Sequence, residues 1–223
     1  MKTAKNTPRK VKRFRRQEFI TMSTEMLLAM EAGTKDTTRR EISPQPESLA
    51  DILTMPAPVE DVVQALYSAA ERGLAHLSMV GPTASYLLPQ CPYGGPGDFL
   101  YVKEIWAKNT DGAYLYKADR TSTTWTKWKS PRFMPKEAAR FVLQIQSVRV
   151  ERIYDITEPE AIREGVQRVG DWWRDYLDPA NVCTHAVKSF ITLYQHLKGK
   201  DATKGNPFVW VIRFKVIKKP QNV

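Results

Sequence analysis

Alternating apolar and polar positions predict the strands of this chain. The clearest alternation lies at residues 208–217, where one face is fully apolar and the other becomes polar toward its end. Residues 141–153 are rich in β-branched side chains and lack Gly and Pro, which predicts a second strand. A third strand is expected at residues 99–107. Because no strand–helix rhythm repeats along the chain, we predict an α+β fold with a curved or closed sheet.

A short helix and a polar stretch are predicted near the beginning of the chain. Ser23 is a suitable N-cap for this helix, and Gly33 supplies the left-handed stop. Residues 34–40 follow, and they read Thr-Lys-Asp-Thr-Thr-Arg-Arg. Because this stretch is polar, we expect a loop that carries chemistry or lies on the surface rather than in the core.

Further helices are predicted from spacing and capping signals. Residues 58–70 and 184–198 each place apolar side chains on one face at helical spacing. Between them, Thr157 and Glu160 have the spacing of a capping box, which predicts the beginning of another helix. That helix is expected to end at Glu164, because a glycine follows directly.

Glu104 interrupts the apolar face of the strand predicted at residues 99–107. It shares that face with Leu100, Val102 and Trp106. A carboxylate among apolar side chains costs several kcal/mol unless a partner compensates it. Two interpretations follow: Glu104 pairs with a buried base, or it lines a cavity and binds a substrate.

The positive charge of the chain is concentrated at its beginning. The net charge is +10, from 34 Lys and Arg against 24 Asp and Glu, and residues 1–16 contain eight of the basic residues and no acid. A flexible arm of this density predicts weak, salt-sensitive contact with nucleic acid. A solvated tail that only aids solubility is the alternative. The residues expected to make the contact are Lys10, Lys12, Arg13, Arg15 and Arg16.

Composition excludes several classes of protein. With 42% hydrophobic and 10% aromatic residues, the chain has the composition of a globular domain rather than a disordered one. It contains neither the apolar run of about 18 residues that a membrane-spanning helix needs nor an apolar signal segment. We therefore predict a cytoplasmic protein with no membrane partner. Cys91 and Cys183 lie far apart and form no CxxC pair, so we predict no metal and no cofactor.

Four segments of the chain resemble the ASCH family, and most closely its phage- and prophage-encoded members. They are AGTKDTTRR at 32–40, CPYGGPGDFLYVKEIW at 91–106, VRVERIYDIT through EG at 148–165, and NPFVWVIRF at 206–214. The resemblance implies a PUA-like fold, which is a small β-barrel flanked by helices with a cleft on one side. The PUA-like domain would then comprise residues 17–223 after the arm, with an insertion at about 41–90.

The resemblance also implies a function and a set of site residues. PUA-like domains commonly handle RNA, and the smallest bacterial ASCH proteins are amidohydrolases that remove the acetyl group of N(4)-acetylcytidine. Those enzymes use a Lys, a Thr three residues later and a Glu on a later helix. Their counterparts here are Lys35 as the base, Thr38 as the nucleophile and Glu164 as the proton shuttle. Arg40 matches an Arg of the same loop and would bind the substrate.

Two functions remain open from the sequence. The first is an amidohydrolase that acts on an acylated pyrimidine nucleoside such as N(4)-acetylcytidine. The alternative is a non-catalytic module that binds RNA or a modified nucleotide. Spacing alone favours the alternative that Lys35 and Thr38 are exposed loop residues and Glu164 a fraying helix end, because a Lys and a Thr three positions apart are common. RNA cleavage is less favoured, since no histidine falls in the matching stretch.

Overall fold

The computed structural model describes residues 17–46, 77–78, 91–119 and 126–218. The predicted basic arm at 1–16 and the predicted helix at 58–70 lie outside the described residues, as does most of the expected insertion. In the described ranges no helix is long and apolar enough to cross a membrane.

The described residues form an α+β structure of several sheets and three α-helices. The strands are β1 (Gln17–Thr21), β2 (Thr37–Glu41), β3 (Leu77–Ser78), β4 (Phe99–Lys103), β5 (Trp106–Lys108), β6 (Tyr114–Tyr116), β7 (Val142–Arg152), β8 (Arg168–Val169), β9 (Trp172–Arg174), β10 (Val182–Cys183) and β11 (Phe208–Lys218). The helices are α1 (Thr24–Glu31), α2 (Glu158–Arg163) and α3 (Ala186–Lys198).

The main sheet has the strand order β1-β4-β7-β11-β2, and β3 also pairs with β7. Strand β1 runs parallel to β4, whereas the other pairs are antiparallel. The two edge strands of the main sheet, β1 and β2, are bridged by a side chain, because Arg40 Nη2 on β2 donates to the carbonyl of Thr21 on β1 at 2.7 Å. The sheet is therefore curved, but in the described ranges no backbone ladder joins β1 to β2 to close it.

Strand β11 separates two hydrophobic cores. Trp210, Ile212 and Phe214 on one face pack in a core that includes α1 and β4. Val209 and Val211 on the other face pack against α2 and α3. Each fully buried aliphatic side chain contributes roughly 1.5–3 kcal/mol, so both faces of this strand stabilise the fold. The edge strand β2 pairs with β11 and is held between the same two layers.

Local sequence signals predicted several elements correctly. Helix α1 begins after Ser23, whose hydroxyl accepts a hydrogen bond from the backbone of Met26 at 3.4 Å. The capping box of Thr157 and Glu160 is present at the beginning of α2. The strands predicted at 141–153 and 208–217, and the helix predicted at 184–198, are confirmed as β7, β11 and α3.

Two expectations about local structure were wrong. The strand predicted at 99–107 is interrupted at Glu104 and Ile105, so it forms β4 and β5. The polar stretch at 34–40 is not an exposed loop, because most of it forms β2 and four of its side chains are buried. Thr is β-branched and favours strands, and buried polar side chains are tolerated when distant groups pair with them.

The structure describes only residues 41–46 and 77–78 of the expected insertion at about 41–90. Glu41 is the last residue of β2, and Ile42 is buried in the core. Further along, the backbone at 77–78 forms β3 and pairs with residues 149–150 of β7. The described parts of this segment therefore belong to the main sheet and its core.

Candidate functional site

The candidate site lies where the beginning of β2 meets the end of α2. An isolated backbone bridge joins Lys35 to Glu164, and the backbone of Asp36 donates to the Arg163 carbonyl at 3.1 Å. Gly165 follows in the left-handed region with a φ of 86°. A Cβ there would stand 3.0 Å from the Cβ of Lys35, so the close approach of the two segments requires glycine.

The Lys35 ammonium is completely enclosed. Its Nζ donates to the carbonyl of Thr37 at 2.7 Å, to the carbonyl of Glu164 at 2.8 Å and to Glu164 Oε2 at 2.9 Å. An ammonium has three protons, so each of them has an acceptor here. Burial lowers the pKa of Lys35, although the Glu164 carboxylate opposes that shift. The neutral amine is therefore easier to form than in water.

Arg39 connects Glu164 to a larger cluster of buried charges. Its Nε donates to Glu151 at 2.8 Å, its Nη1 to Glu164 at 3.1 Å and its Nη2 to Glu160 at 3.2 Å. Arg149 also pairs with Glu151 and Glu160. Burial lowers the pKa of Arg39, but the carboxylates of Glu164 and Glu151 outweigh it and raise that pKa. The cluster is held together by charges from β2, β7 and α2.

Thr38 lies in the middle of β2, opposite Ile212 of β11. It is completely buried, and its Oγ1 has no hydrogen-bond partner among the described residues. Strand alternation places Thr38 and Arg40 on one face of β2 and Arg39 on the other. Strand β2 lies at the edge of the sheet, so no further strand of the described sheet lies beyond it. Side chains from its two faces can therefore approach each other at that outer edge.

Arg40 is half-buried on the same face as Thr38. Its Nη2 donates to the carbonyl of Thr21 at 2.7 Å and lies 3.3 Å from the sulfur of Met22. The Nε atom is buried and has no partner in the part of the chain that the structure describes. Burial lowers the pKa of this guanidinium, while nearby Tyr93 and Glu164 oppose the shift. A buried N–H without a partner is available to a ligand.

Tyr194 is a candidate site residue that the sequence did not reveal. It lies on α3 and is only 5% exposed, and its hydroxyl has no partner among the described residues. Burial raises the pKa of Tyr194 to about 12, so the phenol stays neutral. From the sequence, it was only one of several residues on the apolar face of the predicted helix. A tyrosine instead of phenylalanine on such a face is a weak signal for a polar function.

A cleft of about 480 Å³ joins several of these side chains. Its volume lies within the range of small-molecule sites. Lys35, Thr38 and Glu164 are not among the residues that line it, and Lys35 lines a different cavity of about 680 Å³ together with Asp36 and Arg213. The wall residues of the cleft of about 480 Å³ include Met22, Arg39, Arg40, Ile105, Pro131 and Tyr194.

Glu104 belongs to a different cluster. Its two carboxylate oxygens accept hydrogen bonds of 2.8 Å each from Nε and Nη2 of Arg140, and Arg140 Nη1 contacts Asp119 at 2.5 Å. Burial raises the pKa of Glu104, although Arg140 opposes that shift. Of the two interpretations of Glu104, the structure supports pairing with a base. None of the hydrogen bonds described for Glu104 reaches Lys35, Thr38 or Glu164.

Other predicted site residues lie outside the described residues. These are the basic residues of the arm, Lys10, Lys12, Arg13, Arg15 and Arg16. In the described ranges, no group of three or more His, Cys, Asp or Glu side chains could hold a metal ion.

Comparison of the chain with known proteins gives no match to a family model, to a curated protein or to a solved structure.

Proposed function

We propose that this protein is an amidohydrolase that removes the acyl group from an acylated pyrimidine nucleoside such as N(4)-acetylcytidine. The observation that carries the proposal is the buried hydroxyl of Thr38, which has no partner among the described residues and lies on the strand that begins beside the Lys35–Glu164 pair. An unsatisfied buried hydroxyl costs free energy in the resting protein, and a reacting group is one reason to retain it. The cleft lined by Arg39 and Arg40, the two residues that follow Thr38 in the chain, is large enough for a nucleoside.

The proton transfers can be written with this chain's own groups. Moving a proton from Lys35 Nζ to Glu164 Oε2, across their hydrogen bond of 2.9 Å, produces a neutral amine and a neutral acid. The amine then accepts the Thr38 proton while Oγ1 attacks the acyl carbonyl carbon. As the C–N bond breaks, Glu164 gives its proton to the departing amine. Water hydrolyses the resulting ester, which releases the carboxylic acid and restores the Thr38 hydroxyl.

Negative charge develops on the acyl oxygen during the attack and needs a donor. Arg40 is the best placed, because its buried Nε has no partner among the described residues and it shares a face of β2 with Thr38. A donor that is already oriented and desolvated stabilises an oxyanion more than water does.

We also propose that the curved sheet is a PUA-like β-barrel of the ASCH family. The four segments that resemble the family contribute β2, β4, part of β7 with α2, and β11. These elements surround the site, and Arg40 bridges the two edges of the sheet. The proposed fold and the proposed reaction thus depend on the same segments.

A second candidate function is binding of RNA or a modified nucleotide without chemistry. It is favoured by the closed pairing of Lys35, whose three protons all have acceptors, and by the full burial of Thr38. In this interpretation the charge cluster shapes the cleft, and the wall residues Arg40 and Tyr194 bind the ligand.

The reaction is tested by incubating the purified protein with N(4)-acetylcytidine and following cytidine release by chromatography. Lys35→Ala and Thr38→Val should abolish release, while the exposed Thr184→Val, which removes the same hydroxyl elsewhere, should leave it unchanged. The mechanism needs the protonated Lys35 to supply the proton that Glu164 later delivers, so the rate should fall as the pH rises through the pKa of Lys35, which burial places below its ordinary value of 10.5.

Two results would contradict the amidohydrolase. One is no release by the folded wild type, and the other is full release by Thr38→Val. Calorimetric binding of cytidine by a wild type that releases nothing would support the second function instead.

A further inference from the structure

A second surface, distinct from the cleft, carries exposed aromatic side chains. In β1 and β4, Ile20 and Val102 point into the core, so Phe19, Tyr101 and Lys103 point outward. The parallel register aligns Phe19 with Tyr101, and their ring centroids are 6.0 Å apart. Phe19 is 40% exposed, although a core position would bury it. This outer face of the sheet therefore presents two neighbouring rings.

Basic side chains cover these rings. Lys103 Nζ lies 4.3 Å from the centroid of Phe19, and Lys136 Nζ lies 4.4 Å from that of Tyr101. Lys103 also donates to the carbonyl of Arg132 at 3.4 Å, which places the backbone of the next residue, Phe133, close to the Lys103 ammonium. At 70%, Phe133 is the most exposed large hydrophobic side chain in the described part of the protein.

The β5–β6 ribbon also pairs a lysine with an aromatic ring. There, Lys108 Nζ lies 4.8 Å from the ring of Tyr114, and the Tyr114 hydroxyl donates to Glu137 at 3.4 Å. Glu137 is adjacent to Lys136, so the two groups of rings form one band. We call it the aromatic–lysine band: Phe19, Tyr101, Lys103, Phe133, Lys136 and Tyr114.

We propose that the aromatic–lysine band binds single-stranded nucleic acid. Unpaired bases stack on exposed rings, and flexible lysines neutralise the phosphates between them. A cation–π contact at an exposed site is worth about 0.5–1 kcal/mol, so the Lys103 ammonium can exchange the ring of Phe19 for a phosphate when a base arrives. Duplex nucleic acid hides its base faces and cannot use the rings in this way.

Two observations favour nucleic acid over a protein partner. Lysine is depleted in protein–protein interfaces, yet here it accompanies the exposed rings. In addition, the sequence places eight basic residues at 1–16, directly before Gln17, the first residue of β1. They would add sequence-independent attraction for the same phosphate backbone. The proposal does not depend on the reaction assigned to the cleft.

The proposal is tested by fluorescence anisotropy of the full chain with a labelled 12-nucleotide oligouridylate, an oligothymidylate of equal length and an RNA duplex. Both single strands should bind more tightly than the duplex, and comparing them shows whether RNA or DNA is preferred. Phe133→Ala should weaken single-strand binding about tenfold, as expected for loss of one stacked base. Tyr154→Ala, which removes a ring that is 50% exposed elsewhere, should have no effect.

Salt dependence provides a readout that a structural role would not change. Lys103→Gln should lower the slope of the logarithm of affinity against the logarithm of salt concentration by about 0.7, the loss of one phosphate contact to a single strand. The proposal is overturned if the wild type binds neither single strand, or if Phe133→Ala and Tyr154→Ala weaken binding equally. It is also overturned if Phe133→Ala changes only the oligomeric state measured by light scattering, which would assign the band to a second copy of the chain.

Discussion

Two buried carboxylates, Glu104 and Glu164, are both paired with basic side chains, but their surroundings differ. The Glu104 oxygens each accept one hydrogen bond from Arg140, and this pair is satisfied internally. Glu164 is shared between Lys35 and Arg39. Near that shared carboxylate, several buried polar atoms lack a partner among the described residues. They are Thr38 Oγ1, Arg40 Nε and the Tyr194 hydroxyl.

This difference in hydrogen-bond satisfaction distinguishes the structural ion pair of Glu104 from the candidate ligand site near Glu164. A satisfied ion pair needs nothing further, whereas each unsatisfied buried polar group costs roughly 1–3 kcal/mol. Two such groups, Arg40 Nε and the Tyr194 hydroxyl, belong to residues that line one cleft, where they are costly for stability and useful for binding. Glu104 was therefore a reasonable candidate from its sequence position, but its role in the structure is to neutralise Arg140.

The largest expected loss of stability comes from removing the charge of Glu164, the carboxylate that pairs with both Lys35 and Arg39. Glu164→Gln leaves two fully buried cations without their common carboxylate and should lower the free energy of unfolding by about 3–5 kcal/mol. Glu104→Gln should cost less, about 1–3 kcal/mol, because Arg140 is 12% exposed and keeps Asp119.

Urea denaturation of both variants measures this difference. Glu31→Gln on α1 is the matched control, because it makes the same change at an exposed position and should have little effect. Equal losses of unfolding free energy for Glu164→Gln and Glu104→Gln would mean that the two carboxylates contribute equally to stability, which would contradict this comparison.

The next-largest loss of stability is expected at Gly165, where the end of α2 lies close to α1 and to Lys35. In Gly165→Ala the new Cβ would lie 2.6 Å from the Cβ of Ala29, in addition to an unfavourable positive φ. We expect a loss of about 3 kcal/mol in thermal or urea unfolding, of which roughly 1–2 kcal/mol comes from the backbone. Gly205→Ala has a φ of 76° and open space around it, so it should show the backbone cost alone. A similar loss in both variants would show that α2 and α1 can move apart easily.

The smallest change in stability, with a clear change in function, is expected for Tyr194→Phe. Removing an unpaired hydroxyl should leave stability unchanged or raise it slightly, while cytidine release or cytidine binding falls about tenfold. Tyr116→Phe is the matched comparison, because the Tyr116 hydroxyl donates to the Ala138 carbonyl at 2.7 Å. It should lower stability by about 1 kcal/mol and leave the cleft unaffected. A destabilised Tyr194→Phe protein would show that this hydroxyl makes a stabilising interaction in the unliganded protein, and would contradict its proposed role in ligand binding.

Elements with strong local signals were predictable from sequence. The hydroxyl of Ser23 and the capping box of Thr157 and Glu160 act on backbone groups only a few residues away. Strands β7 and β11 are each 11 residues long, so the β-branched content of β7 and the alternation of β11 identify them without any knowledge of their neighbours. Such signals do not depend on the rest of the fold.

Strand β2 was not predictable in the same way, because its partners are distant. Lys35 and Glu164 are separated by 129 positions, and Arg39 and Glu151 by 112. Without those partners, Thr-Lys-Asp-Thr-Thr-Arg-Arg has the composition of an exposed loop. The positions of Lys35, Thr38 and Glu164 came from a family resemblance, and the hydroxyl of Tyr194 had no comparable signal.

The sequence by itself determined the helix boundaries near Ser23, Thr157 and Glu164, the two long strands and the α+β class, because caps and alternation act over a few residues. Only the tertiary structure decided which charged side chains are buried and which polar atoms stay unpaired. Both properties depend on desolvation by distant segments, so Glu104 with Arg140 and Glu164 with Lys35 can look alike in sequence and differ in their surroundings.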